Sequence, residues 1–248
     1  MSTRFFIDNI EGDTVKIEGT EKHHLRNVLR KKIGDVVFLF DGKGNEYEAE
    51  IVKINESQIE FKIISTTQKD IEIATKINLY QSIPKFKKFD FIIEKATELG
   101  VSKIIPVISE RTQYSIPSES RNFSKLSRWQ KIALSASKQS GRSVITEISA
   151  IKNFKDALES LSIDSEKSLS IIPWECEENT NLKNILRTMN QEIRTINLFI
   201  GPEGGFSSSE INIAQKCGVI PVSLGKRILR TETAPIFVIS NILYELDL

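Results

Sequence analysis

Two glycine-bearing segments hold the residue types and spacings that could do chemistry. Leu198-Phe199-Ile200 is a short apolar run that meets Gly201-Pro202-Glu203-Gly204-Gly205-Phe206. Ser207-Ser208-Ser209-Glu210 then has the spacing of a capping box opening a helix. The glycines therefore sit between the carboxyl end of a strand and a helix N-terminus, where open α/β sheets bind ligands. No Gly-Lys-Ser/Thr follows and no Gly-x-Gly-x-x-Gly is present, which argues against a phosphate loop and a standard dinucleotide site. A Gly-rich turn with no ligand remains the alternative for this loop taken alone.

The second segment is Val222-Ser223-Leu224-Gly225, another glycine strand end, running into Lys226-Arg227-Ile228-Leu229-Arg230-Thr231-Glu232-Thr233-Ala234-Pro235. Ile228 and Leu229 are apolar within a polar loop, positioned either to sandwich a flat ring or to anchor the loop to the core. Thr231 or Thr233 can cap the last helix, with Pro235 in its first turn. Together the two segments predict a pocket for a neutral heterocycle.

The elements that must position these loops fall into two groups. Up to about residue 70 the chain reads as a small β barrel: Arg4 to Ile7, Thr14 to Ile17, Val36 to Phe40, Glu46 to Ile54 and Gln58 to Ile64 are short β-prone runs. One helix interrupts them, Glu21 to Lys32, with Leu25, Val28 and Leu29 on one face and Gly34 ending it. From residue 71 to 248 strands alternate with helices. Strands are predicted at 78–83, 103–108, 168–172, 197–200 and 219–224, and helices at 85–99 (from Phe86 and Phe89 to Leu99), 122–139 and 235–246. That alternation argues for a mostly parallel sheet covered on both faces. The boundary is placed in the polar stretch Thr66 to Thr75.

The chain has 248 residues, a net charge of +1, and two cysteines, Cys176 and Cys217, without paired spacing. These point to a reducing compartment and no disulfide framework. Neither a signal peptide nor a membrane span is legible, so a cytoplasmic location is expected. His23 and His24 are the only histidines, which leaves little for a zinc site, and no metal is expected. Charge is uneven: residues 84–142 hold twelve Lys/Arg against five Asp/Glu, an excess of seven. The predicted helix from Glu21 adds Lys22, Arg26, Arg30, Lys31 and Lys32 against a single acid. Two basic zones fit phosphates along an extended ligand; solvated helix faces are the bland alternative.

Gly201 to Phe206, Leu224-Gly225 and Arg227 to Ala234 closely resemble the signature of the SPOUT-class, trefoil-knotted RNA methyltransferases, and within them the bacterial 16S ribosomal RNA uridine-N3 methyltransferase family. His23 to Arg30 with Gly34-Asp35, Glu94 to Val101, Ser109-Glu110-Arg111, Arg128-Trp129 and Gln139-Ser140-Gly141-Arg142 resemble that family in the same order. The family carries an acidic residue before that glutamine, where this chain has Lys138. The resemblance implies an α/β knotted domain over 71–248 and a PUA-like barrel over 1–70. It also implies S-adenosylmethionine as methyl donor, 16S ribosomal RNA as substrate and a homodimer. It assigns the cofactor to Ile200, Gly201, Pro202, Glu203, Gly204, Gly205, Leu224, Gly225, Ile228, Leu229 and Thr231. The resemblance implies that the barrel helps bind RNA, and RNA contacts are expected at Lys22, His24, Arg26, Arg30, Arg111 and Arg142.

For uridine N3 chemistry, Arg230 is the expected residue for orienting the uridine and steadying its anion, with an internal salt bridge to Glu232 or Glu203 as its alternative. No general base is evident: a histidine base would be His23 or His24, which are read instead as packing or touching RNA, and Glu232 is the other possible base. Pseudouridine synthase and a non-enzymatic RNA-binding module are the rivals. The first needs a nucleophilic aspartate, and Asp90, Asp156, Asp164 and Asp247 sit in no convincing loop.

Overall fold

The computed structural model describes residues 4–10, 12–68, 71–85, 88–113, 119–161, 167–189 and 192–246. Phe86, Asp164 and Asp247, and part of the Thr66–Thr75 stretch, lie outside them. The chain divides into two compact units: one runs to Glu72 and takes in Ser137–Ile145, the other comprises Ile73–Ala136 and Thr146 onward.

The first unit is a five-stranded sheet in the order β1-β3-β4-β5-β2: β1 (Arg4–Phe6), β2 (Thr14–Glu18), β3 (Val36–Phe40), β4 (Asn45–Ile54) and β5 (Gln58–Gln68). β1 pairs parallel with β3 and the other neighbours are antiparallel. β1 and β2 lie at opposite edges of this order, so the curled sheet is open at the backbone level. Alternation aims Val15, Ile17, Ala49, Ile51, Ile59 and Phe61 into one core with Phe5 and Leu39.

The helix predicted from Glu21 to Lys32 is shorter and wound differently. α1 (Gly19–His23) passes into a single π turn, His24–Val28, and Arg30 takes a left-handed φ of 54° that stops it before Gly34. Leu25 and Leu29 face the core, while Val28 is 61% exposed and leaves the predicted apolar face. The wider π turn explains the shift, because its side chains advance by less than 100° per residue.

Ser137–Ile145 is bound to this sheet by buried charge. Arg142 donates to Glu72 through Nε (3.0 Å) and Nη2 (2.6 Å), its carbonyl accepts from Arg4 Nη1 at 2.9 Å, and Arg4 pairs with Glu46 at 2.6 Å. Lys138 pairs with Glu21 at 2.7 Å.

The second unit is a seven-stranded, wholly parallel sheet, where the sequence suggests only mostly parallel pairing. Its strands are β6 (Lys76–Ser82), β7 (Lys103–Ile108), β8 (Glu147–Ile148), β9 (Lys152–Asn153), β10 (Ser168–Pro173), β11 (Thr195–Ile200) and β12 (Ile220–Val222). The order is β12-β10-β11-β6-β7-β8, with β9 also on β7. α2 (Lys88–Glu98), α3 (Glu119–Ser140), α5 (Leu182–Arg187) and α7 (Thr233–Glu245) cover one face. α4 (Phe154–Glu159) and α6 (Ser208–Lys216) cover the other. Burial on both faces is why β11, Thr195–Ile200, is apolar nearly throughout. Residues too few to show a period, β8, β9, α4 and α5, went unpredicted.

Six of the twelve cations in the basic run at 84–142 are paired. Lys88, Lys95, Lys103, Arg128, Lys138 and Arg142 are all in ion pairs, mostly with acids outside the run.

Candidate active site

The glycine loop follows from its local chemistry. β11 ends at Ile200, and the Gly205 N–H closes a four-residue turn on the Pro202 carbonyl at 3.0 Å. Gly205 has a φ of +65°, which a side chain resists, and an added Cβ would lie 2.6 Å from a Glu175 carboxylate oxygen. Phe206 is buried against Phe154, ring centroids 5.1 Å apart, and pins the end of the loop. The predicted capping box is present: the Ser207 N–H donates to Glu210 at 2.9 Å and the Glu210 N–H to Ser207 Oγ at 3.3 Å. Glu110 braces the same cap, accepting from Ser207 Oγ at 2.6 Å and Ser209 Oγ at 3.2 Å. Those hydrogen bonds hold its carboxyl below the usual glutamate range.

The second loop is tied to the first by one hydroxyl. Thr231 Oγ1 donates to the Gly201 carbonyl at 2.7 Å and accepts from Gln81 Nε2 at 3.2 Å. Neither Thr231 nor Thr233 caps α7. Its N-cap is Glu232, which makes no side-chain cap, because the Thr231 hydroxyl is committed to Gly201. Pro235 lies in the first turn as predicted.

A second tie runs through Lys88, at the start of α2. Its Nζ is 3.3 Å from Glu203 Oε1 and 3.2 Å from Glu232 Oε2. Chiefly the Glu232 carboxylate raises the Lys88 ammonium above its ordinary pKa. Burial pushes the Glu203 carboxyl up. Its own main-chain N–H, the Lys85 N–H (3.1 Å) and Lys88 outweigh that and hold it below the usual range.

The loops close one cavity of about 1220 Å³ at the carboxyl ends of β10, β11 and β12. All eleven residues assigned to the cofactor line it: Ile200, Gly201, Pro202, Glu203, Gly204, Gly205, Leu224, Gly225, Ile228, Leu229 and Thr231. Leu229 packs on the core, whereas the Ile228 side chain is 87% exposed, so Ile228 does not anchor the loop. Arg230 also lines the cavity; it is 83% exposed and only 4.0 Å from Glu232, an ion pair too loose to hold it. Glu232 is not among the lining residues. Its carboxylate is turned to Lys88, which argues against the role of base.

Sequence reasoning missed Lys88, Pro173 to Glu175, Glu177, Glu178, Asn181 to Lys183, Phe237 and Asn241, all of which line the cavity. The one available signal was that Trp174 and Glu175 follow a strand end, as the glycines do. β10 lies between β11 and β12, so its end opens under both loops.

The residues assigned to RNA are dispersed. Lys22, His24, Arg26 and Arg30 stand on α1, the π turn and the residues after it, with the His24 ring 5.8 Å from Phe5. Arg111 donates to the Gly204 carbonyl at 2.7 Å, so it braces the glycine loop from outside. Arg142 is a correction: its side chain is 5% exposed and spent on Glu72, which leaves no donor face for a phosphate. Among the described residues, no group of three or more His, Cys, Asp or Glu could hold a metal, and no helix is long and apolar enough to cross a membrane.

The class of this all-parallel α/β unit with its strand-end cavity, in one chain with a curled β unit, is given by family comparison: it is an RNA methyltransferase domain. Residues 72–243 match the RNA methyltransferase domain model and residues 17–64 the RNA methyltransferase PUA domain model. The chain belongs to the ribosomal RNA small subunit methyltransferase E family. It is 33% identical over 230 residues to that enzyme of Buchnera aphidicola from Acyrthosiphon pisum, covering 88% of this chain and 83% of the relative. It is 29% identical over 240 residues to the Bacillus subtilis enzyme, covering 96% and 93%. Among solved structures, the Neisseria gonorrhoeae enzyme bound to S-adenosyl methionine has a TM-score of 0.86 at 32% identity, covering 98% of each chain. A Legionella pneumophila methyltransferase in complex with SAM has the same TM-score at 30% identity, again covering 98% of each.

Proposed function

We propose that the protein methylates N3 of a uridine in 16S ribosomal RNA, using S-adenosylmethionine bound in the strand-end cavity. The observation that carries this is the closure of both glycine loops and the β10 end around one space. At about 1220 Å³ it exceeds the usual range for one small ligand, roughly 300–1,000 Å³.

The residues present fit that donor. Gly201, Gly204 and Gly205 line the cavity without side chains, and a Cβ on Gly201 would crowd Phe206 and Gly205 at 3.2–3.3 Å, so the loop needs glycine there to pack on itself. Main-chain groups of Ile200 to Gly205, Leu224, Gly225, Ile228 and Leu229 hold the adenosyl moiety. When bound, S-adenosylmethionine supplies an electrophilic methyl group on a sulfonium. N3 lies on the pairing edge of uridine, so the base enters unpaired. Its imide proton must leave, because the neutral nitrogen is a poor nucleophile. Arg230, exposed and loosely paired, orients the uridine and stabilises the charge that develops on its oxygens. Glu232 holds Lys88 in place, and no base is assigned.

The PUA-like unit adds RNA contacts through Lys22, His24, Arg26 and Arg30. The knot, the domain limits at 70/71, the homodimer and a cytoplasmic location follow from the same reading. Phe237 and Tyr244, exposed one heptad apart on α7, suit a second copy.

Calorimetric titration with S-adenosylmethionine separates this reading from a pseudouridine synthase or a passive RNA-binding module; absence of binding defeats it. Mapping methylated nucleotides in small-subunit RNA from cells with and without the protein tests the uridine.

A further inference from the structure

The cations of this chain divide into two populations. In the 84–142 run six of the twelve, Lys88, Lys95, Lys103, Arg128, Lys138 and Arg142, are paired with carboxylates. Around the cavity the paired cation is Lys88, and among the described residues most of the others are not paired. Lys183, Lys226 and Arg227 line it, are exposed, and have no hydrogen bond or ion pair with another described residue. Arg230 joins them with its loose contact to Glu232. Deeper in the wall, Lys88 is matched by two carboxylates, and Glu175 lies against Gly205. Glu177 and Glu178 line the cavity too, so its acids suit a cationic donor, while Lys183, Lys226 and Arg227 stand at its rim without a paired acid among the described residues. Ile228, almost fully exposed, stands between Arg227 and Arg230, an apolar tip flanked by cations.

Uncompensated cations repel one another across a short loop and lower stability slightly. A polyanion laid along the rim removes that repulsion and releases its own counterions. A single mobile phosphate does not need four cations spread over α5 and the loop before α7, but a phosphodiester strand does.

We propose that Lys183, Lys226 and Arg227, with Arg230, form a rim that grips the RNA backbone on either side of the modified nucleotide. This rests on the methyltransferase reading. It moves the main electrostatic grip of this unit away from the basic run at 84–142.

The test is fluorescence anisotropy of a uridine-containing single-stranded RNA oligonucleotide, titrated across a range of salt concentrations. Three proteins are compared: wild type, Lys183→Gln/Lys226→Gln/Arg227→Gln, and a charge-matched control, Lys76→Gln/Arg194→Gln/Lys216→Gln. Lys76 and Arg194 lie at the amino ends of β6 and β11, Lys216 ends α6, and none lines the cavity. Each phosphate that a cation neutralises on a single strand adds about 0.7 to the slope of log affinity against log salt, so the slope of the rim variant should be shallower by about 2. The control should fall by less than half of that. S-adenosylmethionine affinity, measured by calorimetry, should stay within about twofold in both variants. Equal slope changes in rim and control, or an unchanged rim slope, overturn the proposal. So does a rim variant that no longer binds the donor, since its cations would then belong to the cofactor. Wild-type protein that binds RNA but not the donor defeats the methyltransferase reading, while the slope comparison still judges the rim.

Discussion

The Thr231 hydroxyl donates to the Gly201 carbonyl at 2.7 Å, across thirty positions of sequence, and so joins the two glycine segments into one wall. Gln81, at the end of β6, completes the link by donating to the same hydroxyl. Thr231→Val keeps the shape and removes both bonds. It leaves the Gly201 carbonyl without this donor and Gln81 without this acceptor. The expected cost is about 1–3 kcal/mol of stability, read by denaturant unfolding, with a clear loss of S-adenosylmethionine affinity. Unchanged stability and affinity together would show that the link is incidental.

Gly205→Ala should be worse than its size suggests. The left-handed φ costs an alanine about 1–2 kcal/mol, and its methyl would meet the Glu175 carboxylate. Gly201→Ala has ordinary φ and only close neighbours at 3.2–3.3 Å, so it should lower donor affinity with a smaller shift in melting temperature. Equal melting shifts in the two variants would refute this ranking.

Arg230→Ala separates chemistry from binding. The side chain is 83% exposed, so stability should change by no more than about 0.5 kcal/mol. Methylation should be lost while calorimetric affinity for the donor stays within about twofold. Full activity in the variant removes Arg230 from the mechanism.

Arg142→Met leaves Glu72 unpaired beside a buried arginine site. Removing one partner of such a pair costs about 3 kcal/mol, and urea unfolding should show it. RNA affinity of the folded variant should keep its salt dependence. A reduced salt slope would instead return Arg142 to the RNA surface.

Glu203 makes a prediction about pH. Its folded pKa is lowered, so its contribution to stability is fully present above the usual glutamate range and is lost as pH falls through the lowered folded value. Wild type and Glu203→Gln should therefore differ in stability near neutrality and converge on acidification. A gap that does not change between neutral and acid pH would mean that Lys88 and the Lys85 N–H do not hold this carboxylate.

The strand-to-helix alternation and the capping box at Ser207 are local patterns, and both were legible because neighbouring residues alone produce them. Chain order also carried the two glycine segments and, through resemblance, the family. The π turn at His24–Val28 was not legible, since Leu25 and Leu29 suit either winding and only packing on the curled sheet selects one. Net charge along 84–142 could not show that Lys138 meets Glu21 or that Arg142 meets Glu72, because those acids lie far away in the chain. Thr231 looked like a helix cap until a carbonyl thirty residues away took its proton. What the sequence determined by itself was which segments bear glycine, charge and cap. The order β12-β10-β11 was decided only in three dimensions, because strand pairing joins residues far apart in the chain. That pairing brings Glu175 and Lys183 to a site whose motifs lie elsewhere.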